Sequence, residues 1–462
     1  MPMLTSDAAS LIKRYDRPGP RYTSYPTAVE FDERFDSASY RQRLGAFAET
    51  ANPLSLYVHL PFCAEQCTYC GCTMIVGRTQ DLASEYLCYV ERELALLASH
   101  AGKRRRIVQH HWGGGTPTFL SASQLARLHE AVERYFDIDD DAEQAIEIDP
   151  RVTTHEQLNV LRSLGFNRLS MGVQDFNPDV QEAIGRRQSP AATRDLFDFA
   201  RSAGFSSINL DLVYGLPRQT VAGFERTLAA VAAMRPDRVA VYSYAHVPWL
   251  RPHQRRINAA ELPQAELKVQ LIGAAVDAFE GAGYTAIGMD HFARPDDELA
   301  IAARERRLYR NFMGYTTRRA PAMLAAGVSG IGDVAGAYAQ NTRKLSSYYR
   351  ALDGRGFPIE RGYALTFDDR VRRHVITELM CNFRIDRAAT EQLFSVEFDR
   401  YVARELEELQ SPGGPVDDGL LDISPAALDV SRRGRLFVRN ICMVFDAYLN
   451  RSAERPAFSR TL

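Results

Sequence analysis

Residues 57–72 read YVHLPFCAEQCTYCGC and carry four cysteines within ten positions, at Cys63, Cys67, Cys70 and Cys72. The first three follow a strand-like run, LSLYVHL, and have the spacing C-x3-C-x2-C. Thiolates are soft ligands that bind zinc ions or iron–sulfur clusters. This segment therefore predicts a metal centre on a loop that directly follows a strand.

Three kinds of metal centre fit such a loop. Structural zinc usually takes a second pair of Cys or His ligands farther along the chain, and His59 is the one nearby candidate for a fourth ligand. The closed cluster of an electron carrier needs four cysteines, and Cys72 could be the fourth. The third alternative is a [4Fe–4S] cluster held by Cys63, Cys67 and Cys70, with one iron open to a small molecule.

Outward from this loop, strand-like and amphipathic helical runs alternate between about residues 55 and 246. The strand-like runs are LSLYVHL, RRIVQHHW, QAIEID, RLSMGV, INLDLVYG and RVAVYSYAHV. Strands separated by helices form right-handed βαβ units with a parallel sheet. Six successive units predict an α/β fold, a partial (β/α)6 barrel.

The chemically unusual residues fall where these predicted strands end. They are Cys63–Cys72, Gly113–Thr116, Glu147–Asp149, Gln174, Asp211–Gly215 and Ala245–His246. In α/β barrels the carboxyl ends of the strands form the rim on which active sites are built. We therefore expect these residues to share one site.

The composition is that of a globular protein with a sizeable core. The chain has 462 residues, 45% hydrophobic and 25% charged, with a net charge of −2. This balance predicts no affinity for nucleic acid or anionic membranes, and no apolar run is long enough to span a bilayer. The first residues have neither the basic start nor the apolar stretch of a secretory signal, so we expect a cytoplasmic protein.

The number of cysteines also favours a cytoplasmic protein. Seven cysteines, an odd number with four packed together, favour metal chemistry in a reducing compartment over a disulfide framework. The other three, Cys88, Cys381 and Cys442, lie in apolar helix-like stretches. We predict that they are small core residues.

Three parts are predicted along the chain. Residues 1–36 are dense in Pro and Tyr without any period and predict an extended arm that covers a substrate. Residues 37–362 form the catalytic barrel. Residues 363–462 predict a mostly helical domain in an order like a winged helix, but they hold 14 Arg against 16 Asp plus Glu. A DNA-binding role is therefore disfavoured, and we expect a lid or buttress on the barrel.

A glycine-rich turn, HWGGGTPT at residues 111–118, follows the second predicted strand. Backbone without side chains lets a ligand approach closely and offers N–H and C=O groups to it. Acidic residues at later strand ends, Glu147 and Asp211, could bind hydroxyl groups. Such a turn by itself is usually an ordinary loop, so it indicates a ligand-binding site only in combination with the cysteine loop.

Together, the C-x3-C-x2-C loop and the GGGT turn resemble the radical S-adenosylmethionine (SAM) superfamily. The resemblance implies a [4Fe–4S] cluster with Cys63, Cys67 and Cys70 as ligands and an open iron that binds SAM. One electron passed through such a cluster cleaves SAM to methionine and a 5′-deoxyadenosyl radical. Thr116 stands where the superfamily commonly has Glu.

Further segments are similar to the oxygen-independent coproporphyrinogen III oxidase family, almost from end to end. They are PRYTSYPTA, LSLYVHLPFC, CGC, HWGGGTPT, IEIDPR, GFNRLSMGVQDFN, DLVYGLP, GMDHFARPDDELA and QNTRKL. The family implies an oxidoreductase of haem and porphyrin biosynthesis. It converts two propionate side chains of coproporphyrinogen III to vinyl groups, which gives protoporphyrinogen IX without oxygen.

The family binds two SAM molecules, and its binding positions carry over residue by residue. For the first SAM the resemblance implies contacts with Tyr57, Gly114, Glu147 and Ile331. For the second SAM it implies contacts with Tyr69, Gly115, Thr116, Gln174, Arg186, Asp211 and Ala245. An electron donor such as a flavodoxin or ferredoxin is also implied, and we expect a monomer.

Two positions separate this chain from its relatives. Cys72 is typically Phe in the haem-chaperone branch, so a catalytic role at Cys72 is implied and the oxidase branch is favoured. At Met313 the family pattern leads us to expect Gln, and its effect on activity is open. The alternatives are a haem chaperone, a haem-degrading radical SAM methyltransferase and, from another class, a non-catalytic iron–sulfur electron carrier.

Overall fold

The computed structural model describes residues 8–77, 79–102, 104–449 and 458–461. The strands are β1 Leu54–Leu60, β2 Phe62–Cys63, β3 Ile75–Val76, β4 Arg106–Gly114, β5 Asp137–Ile148, β6 Arg168–Gln174, β7 Ser207–Tyr214, β8 Arg238–Ser243, β9 Thr285–Ile287, β10 His291–Ala293, β11 Tyr309–Asn311, β12 Gly314–Thr316, β13 Ala322–Ala326, β14 Ile331–Val334, β15 Ala337–Asn341, β16 Ile359–Ala364, β17 Arg384–Asp386, β18 Leu421–Ile423 and β19 Ala427–Val430. The helices are α1 Ala8–Tyr15, α2 Ser37–Ala48, α3 Gln80–Ala101, α4 Ala122–Tyr135, α5 His155–Ser163, α6 Pro178–Ile184, α7 Pro190–Ser202, α8 Val221–Met234, α9 Ala265–Gly281, α10 Glu298–Arg304, α11 Leu345–Asp353, α12 Phe367–Asn382, α13 Arg387–Phe394, α14 Phe398–Tyr401, α15 Ala403–Leu409 and α16 Val438–Val444.

One twelve-stranded sheet organises the molecule, in the order β16-β15-β14-β13-β1-β4-β5-β6-β7-β8-β10-β9. The seven strands from β13 to β8 in this order are parallel to their neighbours. The six predicted strands are β1, β4, β5, β6, β7 and β8, and all six are confirmed. The predicted α/β fold class, a partial barrel of parallel strands, is confirmed as well.

The parallel core gains strands on both sides that the sequence did not predict. β13 adds a seventh parallel strand beside β1, and β14 to β16 extend the sheet antiparallel from it. On the other side β10 and β9 run antiparallel to β8. The carboxyl ends of the parallel strands all meet at one edge, where the cysteine loop follows β1.

Helices cover the outer face of the sheet because one face of each is apolar. A reciprocal cap begins α4: the Ser121 side chain accepts from the Gln124 amide, and the Gln124 side chain accepts from the Ser121 amide. This reciprocal pair fixes where the helix begins. Trp112 on β4 is fully buried beneath it, with its ring 4.6 Å from that of Phe166.

The N-terminal arm and the C-terminal domain share a second apolar core. Tyr22 and Tyr25 of the arm are buried there with residues of α12 and α16. The Tyr22 hydroxyl donates to Asp446 at 3.0 Å, and the Tyr25 hydroxyl accepts from the Ala447 amide at 3.1 Å. The prediction of an extended arm is wrong in part, since residues 8–15 form α1.

The C-terminal region is largely helical, as predicted, and it also contains the strands β18 and β19. A third strand, β17, pairs with β19 and completes a small antiparallel sheet. The sheet strand β16 ends at Ala364, and the first helix of this region begins at Phe367. The predicted part boundaries at 36/37 and 362/363 stay predictions.

The three cysteines outside the loop were all predicted to be core residues. Cys381 and Cys442 are buried, which confirms the prediction for them. For Cys88 the prediction is wrong: the thiol is exposed on α3 and donates to the Ser84 carbonyl at 3.3 Å. Within the described ranges, we find no helix whose length and apolar character would let it cross a membrane.

Candidate active site

A cavity of about 1120 Å³ opens at the carboxyl ends of the parallel strands and reaches into the barrel interior. Twelve of the fifteen predicted site residues line it. They are Cys63, Cys67, Tyr69, Cys70, Cys72, Gly114, Gly115, Thr116, Glu147, Gln174, Arg186 and Asp211. Sequence positions from 63 to 211 thus meet in one space, because parallel strands deliver their following loops to one edge.

The other three predicted residues lie outside the lining of this cavity. The Tyr57 ring stacks on His111, which does line it, with ring centroids 5.9 Å apart. Ala245 follows β8 and accepts a hydrogen bond from Gln254 at 3.2 Å. Ile331 is the first residue of β14, which starts near the carboxyl edge because β14 runs antiparallel to β13.

The cysteine loop is held on both sides. At its base, β2 and β3 pair so that Cys63 faces Val76 in register. Farther along, the Thr68 amide donates to the Ile184 carbonyl at the end of α6, at 3.0 Å. The Tyr69 carbonyl accepts from the Gln254 side chain, also at 3.0 Å. These bonds fix the loop backbone, so its thiols reach the cavity from defined positions.

Two guanidinium groups flank the sulfur of Cys67. Arg151 and Arg186 each place a nitrogen 3.8 Å from Cys67 Sγ. Both bind the buried carboxylate of Asp149, at 2.7 and 2.9 Å. Burial opposes the charge of Asp149, but the two guanidiniums keep its pKa below the usual value. Two guanidiniums thus lie beside the Cys67 sulfur, an arrangement that suits an anionic thiolate.

The chemistry of the donor set fits an iron–sulfur cluster better than zinc. Both ring nitrogens of His59 are engaged: Nε2 donates to the Thr73 carbonyl at 2.9 Å, and Nδ1 accepts from Tyr57 at 3.0 Å. His59 therefore has no lone pair left for a metal. In the described part of the chain, no three Cys, His, Asp or Glu side chains converge on a single-ion site. Each iron of a cluster takes its own thiolate, as separate cysteines on one loop provide.

Side chains at the glycines of the glycine-rich turn would collide with the cysteine loop and the end of β1. At Gly115 a Cβ would lie 2.6 Å from the Pro61 carbonyl oxygen, so the turn packs directly on the start of the cysteine loop. Gly114 has a φ of +120°, which an L side chain rarely adopts, and a Cβ there would meet the His59 ring at 2.6 Å. The Thr116 hydroxyl lies 3.4 Å from Cys63 Sγ. Turn and loop are one packed unit.

Glu147 connects the glycine turn to the next strand. Its carboxylate accepts from the Gly114 amide at 2.9 Å and lies 3.5 Å from His111 Nε2. Burial opposes the charge of Glu147, but these contacts hold its pKa below the usual value. Glu147 is thus a carboxylate at neutral pH, with lone pairs to offer a hydroxyl or ammonium group in the cavity.

Asp211 is a second buried carboxyl group in the cavity wall. Ser170 and Asn209 each donate to it at 2.8 Å. Burial raises the pKa of Asp211 to about 6, against the lowering effect of these two hydrogen bonds. The group is therefore about half ionised near pH 6 and gains the rest of its charge as the pH rises further.

Cys72 is in direct contact with Cys70. Its backbone amide donates to Cys70 Sγ at 3.4 Å, and a hydrogen bond between the two thiols lowers the pKa of Cys70 to about 7 and raises the pKa of Cys72. The thiol is accessible because it faces the open cavity. Met313, in the turn between β11 and β12, lines the same cavity, and its amide donates to Asn311 at 2.9 Å.

The sequence prediction missed two partners of the site residues, Arg151 and His253, and placed Asp149 at the site without a role. Arg151 was visible only as part of IEIDPR at the end of β5, and its contact with Cys67 spans 84 residues. His253 was missed altogether: its Nε2 donates to the Cys70 carbonyl at 2.7 Å, across 183 residues. The signal for Arg151 was an acid–base pair with Asp149 at a strand end, whereas His253 lies in a short 3₁₀ helix without a motif.

Comparisons with known proteins agree with this geometry. The family model described as "Radical SAM superfamily" matches residues 57–231, and the "HemN C-terminal domain" matches residues 365–437. The oxygen-independent coproporphyrinogen III oxidase of Salmonella typhimurium is 48% identical over 98% of both chains. The enzyme of the same name from Escherichia coli K12 is 46% identical, again over 98% of both chains.

A solved structure extends the similarity to three dimensions. It is the structure of coproporphyrinogen III oxidase (HemN) from Escherichia coli, described as a radical SAM enzyme. The TM-score is 0.90 at 45% identity, with 96% of this chain and 99% of that chain covered. With nearly full coverage in both directions, the chain belongs to the oxygen-independent coproporphyrinogen III oxidase family of the radical SAM superfamily.

Proposed function

We propose that this protein oxidatively decarboxylates two propionate side chains of coproporphyrinogen III to vinyl groups, which yields protoporphyrinogen IX without oxygen. The observation that carries the proposal is a single cavity onto which the cysteine loop, the glycine turn and Asp211 all open. Its volume of about 1120 Å³ exceeds the range of roughly 300–1,000 Å³ typical of small-molecule pockets. It therefore has room for more than one ligand.

Cys63, Cys67 and Cys70 are the proposed ligands of a [4Fe–4S] cluster. When bound, the cluster and SAM supply a 5′-deoxyadenosyl radical that takes a hydrogen atom from a propionate side chain. The chain's own part is to hold the ligands in place through the backbone bonds of the loop. Arg151 and Arg186 offset negative charge at Cys67.

Two SAM molecules are proposed, as the family resemblance implies. Glu147 and the Gly114 backbone, with Tyr57 and Ile331 behind them, would hold the first. The second would lie along Tyr69, Gly115, Thr116, Gln174, Arg186, Asp211 and Ala245. Carboxylates at Glu147 and Asp211 suit the hydroxyl and ammonium groups of SAM, and the Arg186 guanidinium suits its carboxylate.

The arm is proposed to cover the substrate, with the parts divided at 36/37 and 362/363. Arg21 lines the cavity and donates to the Ser243 carbonyl, so the arm already closes part of the opening. We further propose a monomer that works in the cytoplasm, since cluster chemistry suits a reducing compartment. It would receive electrons from a flavodoxin or ferredoxin.

Two alternatives compete with this proposal. A haem chaperone or haem-degrading methyltransferase of the same superfamily would need neither Cys72 nor an arm that reaches the cavity. A non-catalytic electron carrier would need neither a large cavity nor buried carboxylates that face it. The thiol of Cys72, Arg21 and Asp211 all line the cavity here, which favours the decarboxylase.

Hydrogen transfer gives a direct test of this function. The reconstituted enzyme is incubated anaerobically with SAM, a reductant and coproporphyrinogen III that carries deuterium on the propionate β-carbons. We expect deuterium in the 5′-deoxyadenosine, detected by mass spectrometry. If the 5′-deoxyadenosine stays unlabelled while the substrate is consumed, the proposed abstraction is wrong.

Asp211 predicts how SAM binding depends on pH. With a pKa of about 6, Asp211 is charged at pH 7.5 and mostly protonated at pH 5.5. We expect wild-type affinity for the second SAM to fall between these values. In Asp211→Asn the affinity at pH 7.5 should already be about tenfold to a hundredfold lower, because a charged hydrogen bond is lost, and the component of the pH dependence due to Asp211 should disappear.

Equilibrium dialysis of labelled SAM against the reconstituted protein at pH 7.5, 6.5 and 5.5 measures both quantities. Asp198→Asn removes an exposed carboxylate on α7 and is the matched control. It should bind SAM like the wild type at every pH. Equal affinity and equal pH dependence in Asp211→Asn and the wild type would remove Asp211 from the SAM site.

A further inference from the structure

A basic, partly apolar surface segment lies beside the cysteine loop. Residues 247–256 read VPWLRPHQRR and follow β8. Trp249 and Leu250 are 49% and 57% exposed, which is unusual for side chains of this size. We call residues 247–256 the basic segment. Nothing in the proposed chemistry of the cavity uses its outer face.

The basic segment is bonded directly to the loop that carries the proposed cluster ligands. His253 Nε2 donates to the carbonyl of Cys70 at 2.7 Å. The next side chain, Gln254, is buried and donates to the carbonyl of Tyr69 at 3.0 Å. One hydrogen bond therefore separates the segment from the backbone of a proposed cluster ligand.

The charge of this surface is positive. No Asp or Glu occurs from residue 241 to residue 260, whereas three arginines do, Arg251, Arg255 and Arg256. Arg255 and Arg256 are exposed, and neither forms an ion pair in the described part of the chain. Three acidic residues of other elements form ion pairs: Glu65 with Arg151, and Glu182 and Glu261 with Arg218.

We propose that the basic segment is the docking surface for an acidic electron-carrier protein that holds a flavin. The inference rests on the proposed function, because the cluster must gain one electron for each SAM that is cleaved. The carrier's reduced flavin loses that electron and the cluster gains it, so the transfer is balanced. Docking here brings the donor to within one hydrogen bond of the Cys70 backbone.

The chemistry of the segment favours a flavin carrier over other partners. Exposed guanidiniums that no described carboxylate neutralises, as at Arg255 and Arg256, attract an acidic protein and raise its rate of encounter. An exposed indole such as Trp249 can pack on the apolar edge of a flavin ring, as aromatic side chains commonly anchor interfaces. The same surface would repel a basic partner, which gives the site its selectivity.

Charge reversal tests the surface without touching the proposed ligands. The variant Arg255→Glu with Arg256→Glu is compared with the wild type for reduction of the reconstituted cluster by a purified, reduced flavodoxin in anaerobic stopped flow. We expect the second-order rate to fall about tenfold or more, and the rate to lose most of its salt dependence. Reduction by dithionite, a small molecule, should be unchanged.

A matched control reverses the same number of charges elsewhere. Arg400→Glu with Arg404→Glu alters two exposed arginines of the C-terminal domain and should leave both reductions unchanged. If the variant in the basic segment accepts electrons from flavodoxin as fast as the wild type, the docking surface is wrong. If a reduced [2Fe–2S] ferredoxin, and not flavodoxin, shows the charge dependence, the flavin assignment is wrong.

Amide hydrogen exchange of the wild-type holoenzyme keeps the proposal testable even if the variant misfolds. Flavodoxin should slow exchange in residues 247–256, whereas slowing confined to another surface would overturn the proposal. This footprint does not depend on turnover. A footprint at the basic segment in an enzyme that fails to decarboxylate coproporphyrinogen III would therefore uphold the docking surface and reject the proposed substrate.

Discussion

Cys63→Ala is expected to contain almost no cluster iron and to form no 5′-deoxyadenosine. A [4Fe–4S] cluster with only three protein ligands should not assemble when one of them is removed, since each thiolate binds a separate iron. The fold should survive, because Cys63 is only half-buried at the end of a two-residue strand whose pairing uses backbone groups. Iron and sulfide content, the visible absorbance of the cluster and 5′-deoxyadenosine formation measure the effect.

The matched control is Cys88→Ala, which removes a cysteine that is exposed on α3. It should keep the full iron content and full activity. Cys67→Ala and Cys70→Ala should behave like Cys63→Ala. A Cys63→Ala enzyme with a normal cluster would show that another residue is the third ligand, and the assignment of the loop would be wrong.

Cys72→Ala is expected to keep its cluster and to lose at least a hundredfold in decarboxylation rate. The thiol faces the cavity, while the bond to Cys70 Sγ comes from the Cys72 backbone amide and is present in alanine too. The substitution therefore keeps the backbone bond to Cys70 and removes only the interaction between the two thiols. A lost proton-transfer or hydrogen-donor group at a reacting centre costs about 10²–10⁴-fold in rate.

Cluster absorbance and rates of 5′-deoxyadenosine and product formation, measured on one preparation, separate the two roles of Cys72. Cys72→Ser serves as a second variant, because it keeps a small polar group in the same place. We expect a normal cluster in both. Loss of the cluster in Cys72→Ala would make Cys72 a ligand and favour the closed cluster of an electron carrier.

The parallel strands of the core could be predicted from the sequence because each strand has a recognisable pattern within its own residues. Runs such as INLDLVYG are rich in branched residues, end in Gly or Asp and alternate with amphipathic helices. The order of these units then fixes a parallel sheet, and the sheet places its loops on one edge. Most of the predicted site residues consequently meet in one cavity.

The strand β13 could not be predicted in the same way. Its sequence, AMLAA, contains no β-branched residue and has the composition of a helix. It becomes a strand because it pairs with β1 over five residues, a contact that local patterns do not encode. The arm is similar: Tyr22 and Tyr25 are ordered by burial against the C-terminal helices, some 420 residues away in the chain.

Local sequence patterns also could not predict which residues of the site contact one another. The carboxylate of Asp149 binds Arg186 across 37 residues, and Arg186 in turn contacts the sulfur of Cys67. Burial was misjudged at Cys88 for a related reason. An apolar helix places some positions outward, and Cys88 lies on that outward face.

The proposed function is the decarboxylation of coproporphyrinogen III in this cavity by radical SAM chemistry. It is tested by an anaerobic reaction of the reconstituted enzyme with SAM, a reductant and coproporphyrinogen III, with all products analysed by mass spectrometry. We expect protoporphyrinogen IX, carbon dioxide and 5′-deoxyadenosine together. If an enzyme with an intact cluster yields 5′-deoxyadenosine without decarboxylation, or yields none, the proposed function is wrong.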